Sequence, residues 1–271
     1  MRRACLLGIL GLAALVSCSV KEDRGDCPCW LTVRASYPNE LVSAWFGTQP
    51  IFQDENGQQV DRQVPRGIVE VVASRGKFIA LEGHQMDELF ASLTQVDTQC
   101  EEAEVIPYLH KQFARISLEF EGTEEGRVER ILQVQGNVKG ADKHTLQPLE
   151  GTFRCTPDEL QEGGYEVRVP RQKDDSLMLL QYDLDGKELD PIPLGYLIKK
   201  AGFDWTEESL GDVSILADMP TMTFQITVLQ WEGPIGMTVT LYNTLLFGGR
   251  GRESSGALRV RSSLFCCTYL S

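Results

Sequence analysis

Strand periodicity decides the fold class of this chain. In "FARISLEFEG", residues 113–122, Phe113, Arg115, Ser117, Glu119 and Glu121 alternate with Ala114, Ile116, Leu118 and Phe120. Apart from Phe113 the first row is polar, and the second is wholly apolar. A two-residue repeat of this kind suits a strand with one face on a core and excludes a helix, whose repeat is 3.6. "WLTVRAS" (30–36) repeats the pattern, with Trp30, Thr32 and Arg34 opposing Leu31 and Val33. "IVEVVAS" (68–74), "KFIALEG" (77–83), "RILQVQGNV" (130–138), "GTFRC" (151–155), "YEVRVP" (165–170), "SLMLLQYDLDG" (176–186), "DVSILAD" (212–218) and "TMTFQITVLQW" (221–231) continue in the same style. Many short strands divided by turn residues predict an all-β sandwich architecture.

Punctuation refines this. Asn56-Gly57 and Asp185-Gly186 have the composition of tight hairpin turns, and Arg75-Gly76 separates two strands. "QMDELFASL" (85–93) is predicted to be a short helix. Within "IPLGYLIKKAGFDW", Leu194, Leu197, Ile198 and Ala201 stand at helical spacing, with Gly202 where the helix ends. The polar "TQVDTQCEEAEVIP" (94–107) does not alternate, so a domain boundary is placed at about residues 95–110. The expectation is two tandem β-sandwiches, 30–107 and 108–231, with the short helix in the second.

The N-terminus is an address. "MRR" precedes the apolar run "ACLLGILGLAALV". That run is too short to span a bilayer and the right length for a secretory signal. Leu15, Val16 and Ser17 lead into Cys18, the lipobox pattern of bacterial lipoproteins. This predicts a signal peptide over 1–17, cleavage between Ser17 and Cys18, and covalent diacylglycerol and N-acyl lipid on Cys18. A thiol is required because it is the strong nucleophile at that position. Several acyl chains then hold a protein far more firmly than one, at about 0.8 kcal/mol per buried CH₂. Residues 18–29 read as a tether, and its Lys21-Glu22-Asp23 resembles the acidic signal that sends lipoproteins of Bacteroidota to the outer face of the outer membrane.

The net charge is −13, with both ends basic: residues 1–17 and 232–271 carry +2 each, leaving the middle at −17. That excess of carboxylates argues against a nucleic-acid partner, which requires clustered Lys and Arg. Residues 232–271 are Gly-, Ser- and Arg-rich, end near the pair Cys266-Cys267, and read as an atypical basic tail. Within it "IGMTVTLYNTLLF" (235–247) offers one possible strand.

With Cys5 removed and Cys18 lipidated, the body keeps Cys27, Cys29, Cys100 and Cys155. In an oxidising compartment these are candidate disulfide partners or free thiols, and four cysteines allow three pairings. Zinc at C-P-C lacks a second close ligand pair, since His84, His110 and His144 are scattered singly. Asp183, Asp185 and Glu188 fail calcium-loop spacing and fit a turn. No nucleophile elbow, P-loop, zinc-protease or dinucleotide motif occurs, so no metal, cofactor or catalytic residue is expected.

The lipobox cysteine, "EDRGDCPCWLTV" (22–33) and "PLGYLIKKAGFDW" (193–205), leading to a strand that ends at Trp231, resemble the fimbrillin-associated anchor family. These are lipoproteins that hold type V pili on Bacteroidales cells. The resemblance implies two transthyretin-like β-sandwiches, acylation at Cys18, display on the outer membrane, and fimbrial structural subunits as partners. Stalk subunits of that superfamily lose a strand by cleavage after an arginine and accept a partner's strand in its place, a form of β-augmentation. An anchor retains its first strand, here "WLTVRAS", although Arg34, Arg62, Arg66 and Arg75 are candidate cleavage points. Two alternatives stand beside the anchor: a polymerising stalk or tip subunit, and a surface lipoprotein binding a glycan or host protein.

Overall fold

The computed structural model describes residues 27–230, 233–242 and 259–265. The signal segment, Ser17, Cys18, the tether up to Asp26, Trp231 and the Cys266-Cys267 pair lie outside the described residues. Among the described residues the architecture is all-β with one short α-helix.

The first sandwich contains β1 (Cys29–Arg34), β2 (Leu41–Phe46), β3 (Gln49–Asn56), β4 (Gln59–Val64), β5 (Ile68–Arg75), β6 (Phe90–Asp97), β7 (Glu102–Val105) and β8 (His110–Lys111). Its sheets run β4-β1-β7 and β3-β2-β5-β6-β8. Leu31, Val33, Val42, Ala44, Val69 and Val71 are buried together in its core. The expected alternation in 30–36 is realised: Leu31 and Val33 point inward while Trp30 is 46% exposed.

The second sandwich contains β9 (Phe113–Phe120), β10 (Ile131–Ala141), β11 (Pro148–Cys155), β12 (Asp158–Glu159), β13 (Tyr165–Pro170), β14 (Met178–Tyr182), β15 (Asp212–Asp218), β16 (Thr223–Gln230), β17 (Gly233–Tyr242) and β18 (Arg259–Phe265). Its sheets run β11-β10-β14 and β12-β13-β9-β15-β16-β17-β18. Ile116, Leu118, Val134, Val167, Ile215 and Ile226 form its core. The helix α1 (Leu194–Lys200) adds Leu194, Leu197 and Ile198, as its spacing predicts, and Ala201 follows it into the core. Gly202 then takes a φ of 93°, which a side-chain-bearing residue adopts only with strain.

Several expectations need correcting. The Asn56-Gly57 turn does not close a hairpin, because β3 and β4 belong to opposite sheets and the turn arches between them. Residues 85–93 form no helix: Phe90–Asp97 is strand β6, zipped to β5 from Ile68↔Asp97 to Arg75↔Phe90, and the β-ladder overrides the local helical spacing. The unpatterned 94–107 segment contains β7, which runs parallel to β1 inside the first sandwich. The basic tail also contributes regular structure. β17 pairs with β16 from Thr223↔Thr240 to Gln230↔Gly233, and β18 pairs with β17.

"KFIALEG" is not a regular strand either. Residues 77–89 cross to the second sandwich, with isolated bridges Ile79↔Gly140 and Gly83↔Cys155. Met86, Leu89 and Ala91 meet Phe113 and Ala141 in a third buried cluster at this seam. Phe113, the odd apolar member of the polar row of β9, thereby finds its burial. The Met86 amide donates to the Arg168 carbonyl at 3.0 Å and the Gln112 amide to the Leu89 carbonyl at 2.9 Å.

Candidate functional site

The chain leaves its N-terminal segment and enters the fold at β1, so whatever attaches residues 1–26 elsewhere pulls on this strand. β1 is the middle strand of its sheet. It pairs antiparallel with β4 from Cys29↔Val64 to Arg34↔Gln59 and parallel with β7 from Trp30↔Glu102 to Val33↔Val105. Both its ladder edges are therefore occupied. Cys29, Leu31 and Val33 are 0–1% exposed, and each buried aliphatic side chain contributes about 1.5–3 kcal/mol.

Polar contacts pin the outer face. The Thr32 hydroxyl donates to the Asp61 carboxylate at 2.7 Å, directly across the β1/β4 pair. That hydrogen bond, with the Gln59 amide, holds the Asp61 carboxyl below the usual carboxylate range. Arg34 pairs with Glu104 at 2.9 Å across the β1/β7 side. At the entrance, the Arg66 guanidinium donates to the Cys27 carbonyl and the Gln99 carbonyl, each at 2.7 Å. One side chain thus ties the incoming chain to the segment that leads into β7. The Trp30 amide adds a 2.8 Å bond to the Glu101 carbonyl.

The structure places the four candidate cysteines unequally. All are free thiols: Cys27 and Cys100 are exposed, Cys29 and Cys155 buried. Cys29 belongs to β1 and not to the tether. Cys155 lies in the core of the second sandwich, which contains no other cysteine among the described residues, while Cys29 lies in the core of the first. Each two-bridge scheme would have to use Cys155, so the structure admits none of them. Burial, with the Asp158 charge, pushes the Cys155 thiol up to about 12. Cys29 and Cys100, in contrast, share the β1 entrance. No three potential metal ligands among His, Cys, Asp and Glu come together among the described residues. Asp183 accepts from the Asp185 and Lys187 amides at 3.1 and 2.8 Å, closing the turn expected of it.

No family model matches the sequence, and no curated protein matches it. Solved structures match the fold. A candidate polysaccharide-binding protein from Bacteroides thetaiotaomicron superposes with a TM-score of 0.54 at 12% identity, over 76% of this chain and 99% of the other. A candidate adhesin from Bacteroides ovatus gives 0.50 at 11% identity, over 76% and 94%. The chain shares the fold of these proteins. The fimbrial anchor protein Mfa2 from Porphyromonas gingivalis superposes at 0.47 with 10% identity, over 76% and 98%.

Two features of this fold escaped the sequence. Arg66 sits in an ordinary "VPRG" turn, and nothing marks its reach to two carbonyls. The second is a cleft of about 760 Å³ where the two sandwiches meet, flanked by Tyr37, Tyr108, Arg75 and Lys111. Tyr37 and Tyr108 are 45% and 66% exposed. Arg75 lies 5.7 Å from the Tyr37 ring centre and 5.0 Å from that of Phe90. Among the described residues no helix is long and apolar enough to cross a membrane.

Proposed function

We propose that this chain is a surface lipoprotein, acylated on Cys18, that holds a fimbrium at its base on the outer membrane, limits fibre length and has no catalytic role. The observation that carries this is the seat of β1: a first strand paired on both edges and buried along one face. A tether attached at Cys18 and held under tension would enter the fold through a strand that resists removal. The lipobox ending at Cys18, the acidic Lys21-Glu22-Asp23 and the "DCPCWLTV" segment support the same role, and the likeness in fold to a Bacteroides adhesin is compatible with it.

A polymerising subunit would be cut after an arginine of the first sandwich and would lose β1. Here the arginines are engaged: Arg34 with Glu104, Arg62 with Glu55 at 2.6 Å, Arg66 with two carbonyls, and Arg75 against two rings. Cleavage at any of them requires local opening first, which favours an anchor over a stalk or tip subunit. The fibre's structural subunits are the partners of such an anchor.

Cells expressing wild type or Cys18→Ala provide the test. After shearing, an anchor mutant releases intact and longer fimbriae into the medium, while wild type retains them. Unchanged retention and length would overturn the anchoring role. A second reading, a surface lipoprotein for a soluble glycan, is favoured by one observation, the tyrosine-flanked cleft with two cations at its wall. It predicts that Tyr108→Ala abolishes glycan binding while fibre retention stays intact.

A further inference from the structure

We propose that Cys29 and Cys100 are joined by a disulfide in the exported protein, fastening the entrance of β1 to the segment that leads into β7. The inference deepens the anchor reading and rests on it for the oxidising compartment.

Backbone register brings the two residues together. Trp30 is the parallel partner of Glu102, and its amide donates to the Glu101 carbonyl at 2.8 Å, so continuing the register sets Cys29 beside Glu101, whose chain neighbour is Cys100. Arg66 clamps the same two segments from outside through Cys27 and Gln99. Burial pushes the Cys29 thiol pKa up, and the neighbouring Cys100 thiol raises it further. The Cys100 sulfur also donates to the Glu102 carbonyl at 2.9 Å, which fixes its position over the entrance. The pairing requires no strand to leave its ladder.

The two thiols differ in access, and this orders the chemistry. Cys100 is exposed and Cys29 is buried. A disulfide-bearing thiol oxidoreductase of the exported compartment supplies the oxidant. The Cys100 thiol loses its proton and attacks the oxidoreductase disulfide, forming a mixed disulfide and releasing one oxidoreductase thiolate. The Cys29 thiol then loses its proton and attacks the Cys100 sulfur. The Cys29–Cys100 bond forms, the mixed disulfide breaks, and the oxidoreductase leaves as a dithiol carrying both electrons. Cys155 takes no part because it is buried in the other core.

The consequence is mechanical. Tension arriving along the tether at Cys29 would pass through the disulfide to Cys100 and on toward residues 101–112 and the second sandwich. The 70 residues from 30 to 99 would be bypassed, and the first sandwich would not unravel under load.

The test uses the full chain, purified reduced and equilibrated with oxidised glutathione, then alkylated and mapped by mass spectrometry without reductant. The expected product links the peptide containing Cys27 and Cys29 to the one containing Cys100, leaving Cys155 alkylated. The link persists in Cys27→Ser and is lost in Cys29→Ser. Alkylation of both Cys29 and Cys100, or a link that survives Cys29→Ser, would overturn the proposal. Oxidation in solution needs no membrane, so failure here bears on the disulfide alone. Lipid on Cys18 is read separately, from the mass of the N-terminal peptide of the cell-derived protein.

Discussion

His144 of the second sandwich stacks on Trp45 of the first, with ring centres 4.5 Å apart and planes 18° from parallel. The His144 Nε2 also lies 3.1 Å from the Glu70 carboxylate, so one side chain couples the two bodies by stacking and by a polar contact. Both partners of the ion pair are more than a quarter exposed, which limits the electrostatic part. In a double-mutant cycle, His144→Ala and Glu70→Gln are expected to couple by about 0.5 kcal/mol, a value typical of partly exposed pairs. His144→Ala alone should cost about 1–2 kcal/mol because it also removes the stack on Trp45. Urea titrations of the four proteins at pH 6 check both figures.

The seat of β1 makes neighbouring residues unequal. Leu31 is fully buried in the first core and Trp30, beside it, is 46% exposed. Leu31→Ala is expected to destabilise the first sandwich by about 3 kcal/mol through lost burial and the cavity left behind. Trp30→Ala should cost less than about 1 kcal/mol. The larger side chain is therefore the cheaper one to remove, and near-equal losses by chemical denaturation would contradict the described register.

Residues with their own local pattern were legible in the sequence: the alternating rows of β1 and β9, the helical spacing of Leu194, Leu197 and Ile198, and the glycine that ends that helix. What remained hidden depends on partners far along the chain. β7 does alternate, with Glu102 and Glu104 outward and Ala103 and Val105 inward, but four residues with a single strong hydrophobe resemble a linker. Residues 85–93 carry helix-compatible spacing, yet their last four, 90–93, join the strand Phe90–Asp97 because β5 offers a complete ladder. Asn56-Gly57 has hairpin composition, and only the separate sheets of β3 and β4 reveal an arch. In the candidate site, the cysteines were visible as residue types, while the β1/β7 register that separates Cys100 from Cys155 was not.

Glu40 gives the chain a pH signature. Its side chain is buried, with one carboxylate oxygen accepting from the Ser36 and Tyr37 amides at 2.9 and 3.0 Å and the other without a partner. Burial raises its pKa above the ordinary glutamate value, against the pull of those two amides. A raised folded-state pKa means that the folded protein holds this proton more tightly than the unfolded chain does. The resulting stability is fully present below the unfolded value of about 4.3 and is lost as pH rises through the folded one. At pH 7 the ionised, half-satisfied carboxylate is a burden. Glu40→Gln keeps an oxygen for both amides and removes the charge, so it should raise Tm by about 3 °C at pH 7. The advantage should vanish near pH 4, as calorimetry at the two pH values would reveal.

Closing the 70-residue span between Cys29 and Cys100 removes chain entropy from the unfolded state, by about 4 kcal/mol in the loop-entropy account. Reductant should therefore lower the denaturation midpoint of the oxidised wild type and leave Cys100→Ala unmoved. An equal response of both proteins to reductant would place the effect elsewhere.

The seam between the sandwiches depends on a residue without a side chain. Gly140, near the end of β10, lies against the Phe78–Ile79 backbone, and a Cβ there would collide with the Phe78 carbonyl oxygen and come within 2.8 Å of the Ile79 Cα. Both obstacles are main chain, so no side-chain rotation relieves them. The Ile79↔Gly140 bridge and the flanking bonds, from the Ala80 amide to the Lys139 carbonyl at 2.9 Å and from the Ala141 amide to the Phe78 carbonyl at 2.8 Å, all need this close approach. Gly140→Ala should push residues 77–83 off β10 and cost about 2–3 kcal/mol, within the range of an overpacked site. Hydrogen exchange distinguishes this from general unfolding. The amides of Ala80 and Ala141 should lose protection while those of Ile116 and Val167, in the centre of the β9/β13 ladder, keep theirs. Uniform loss across all four would mean that the second sandwich itself depends on the seam.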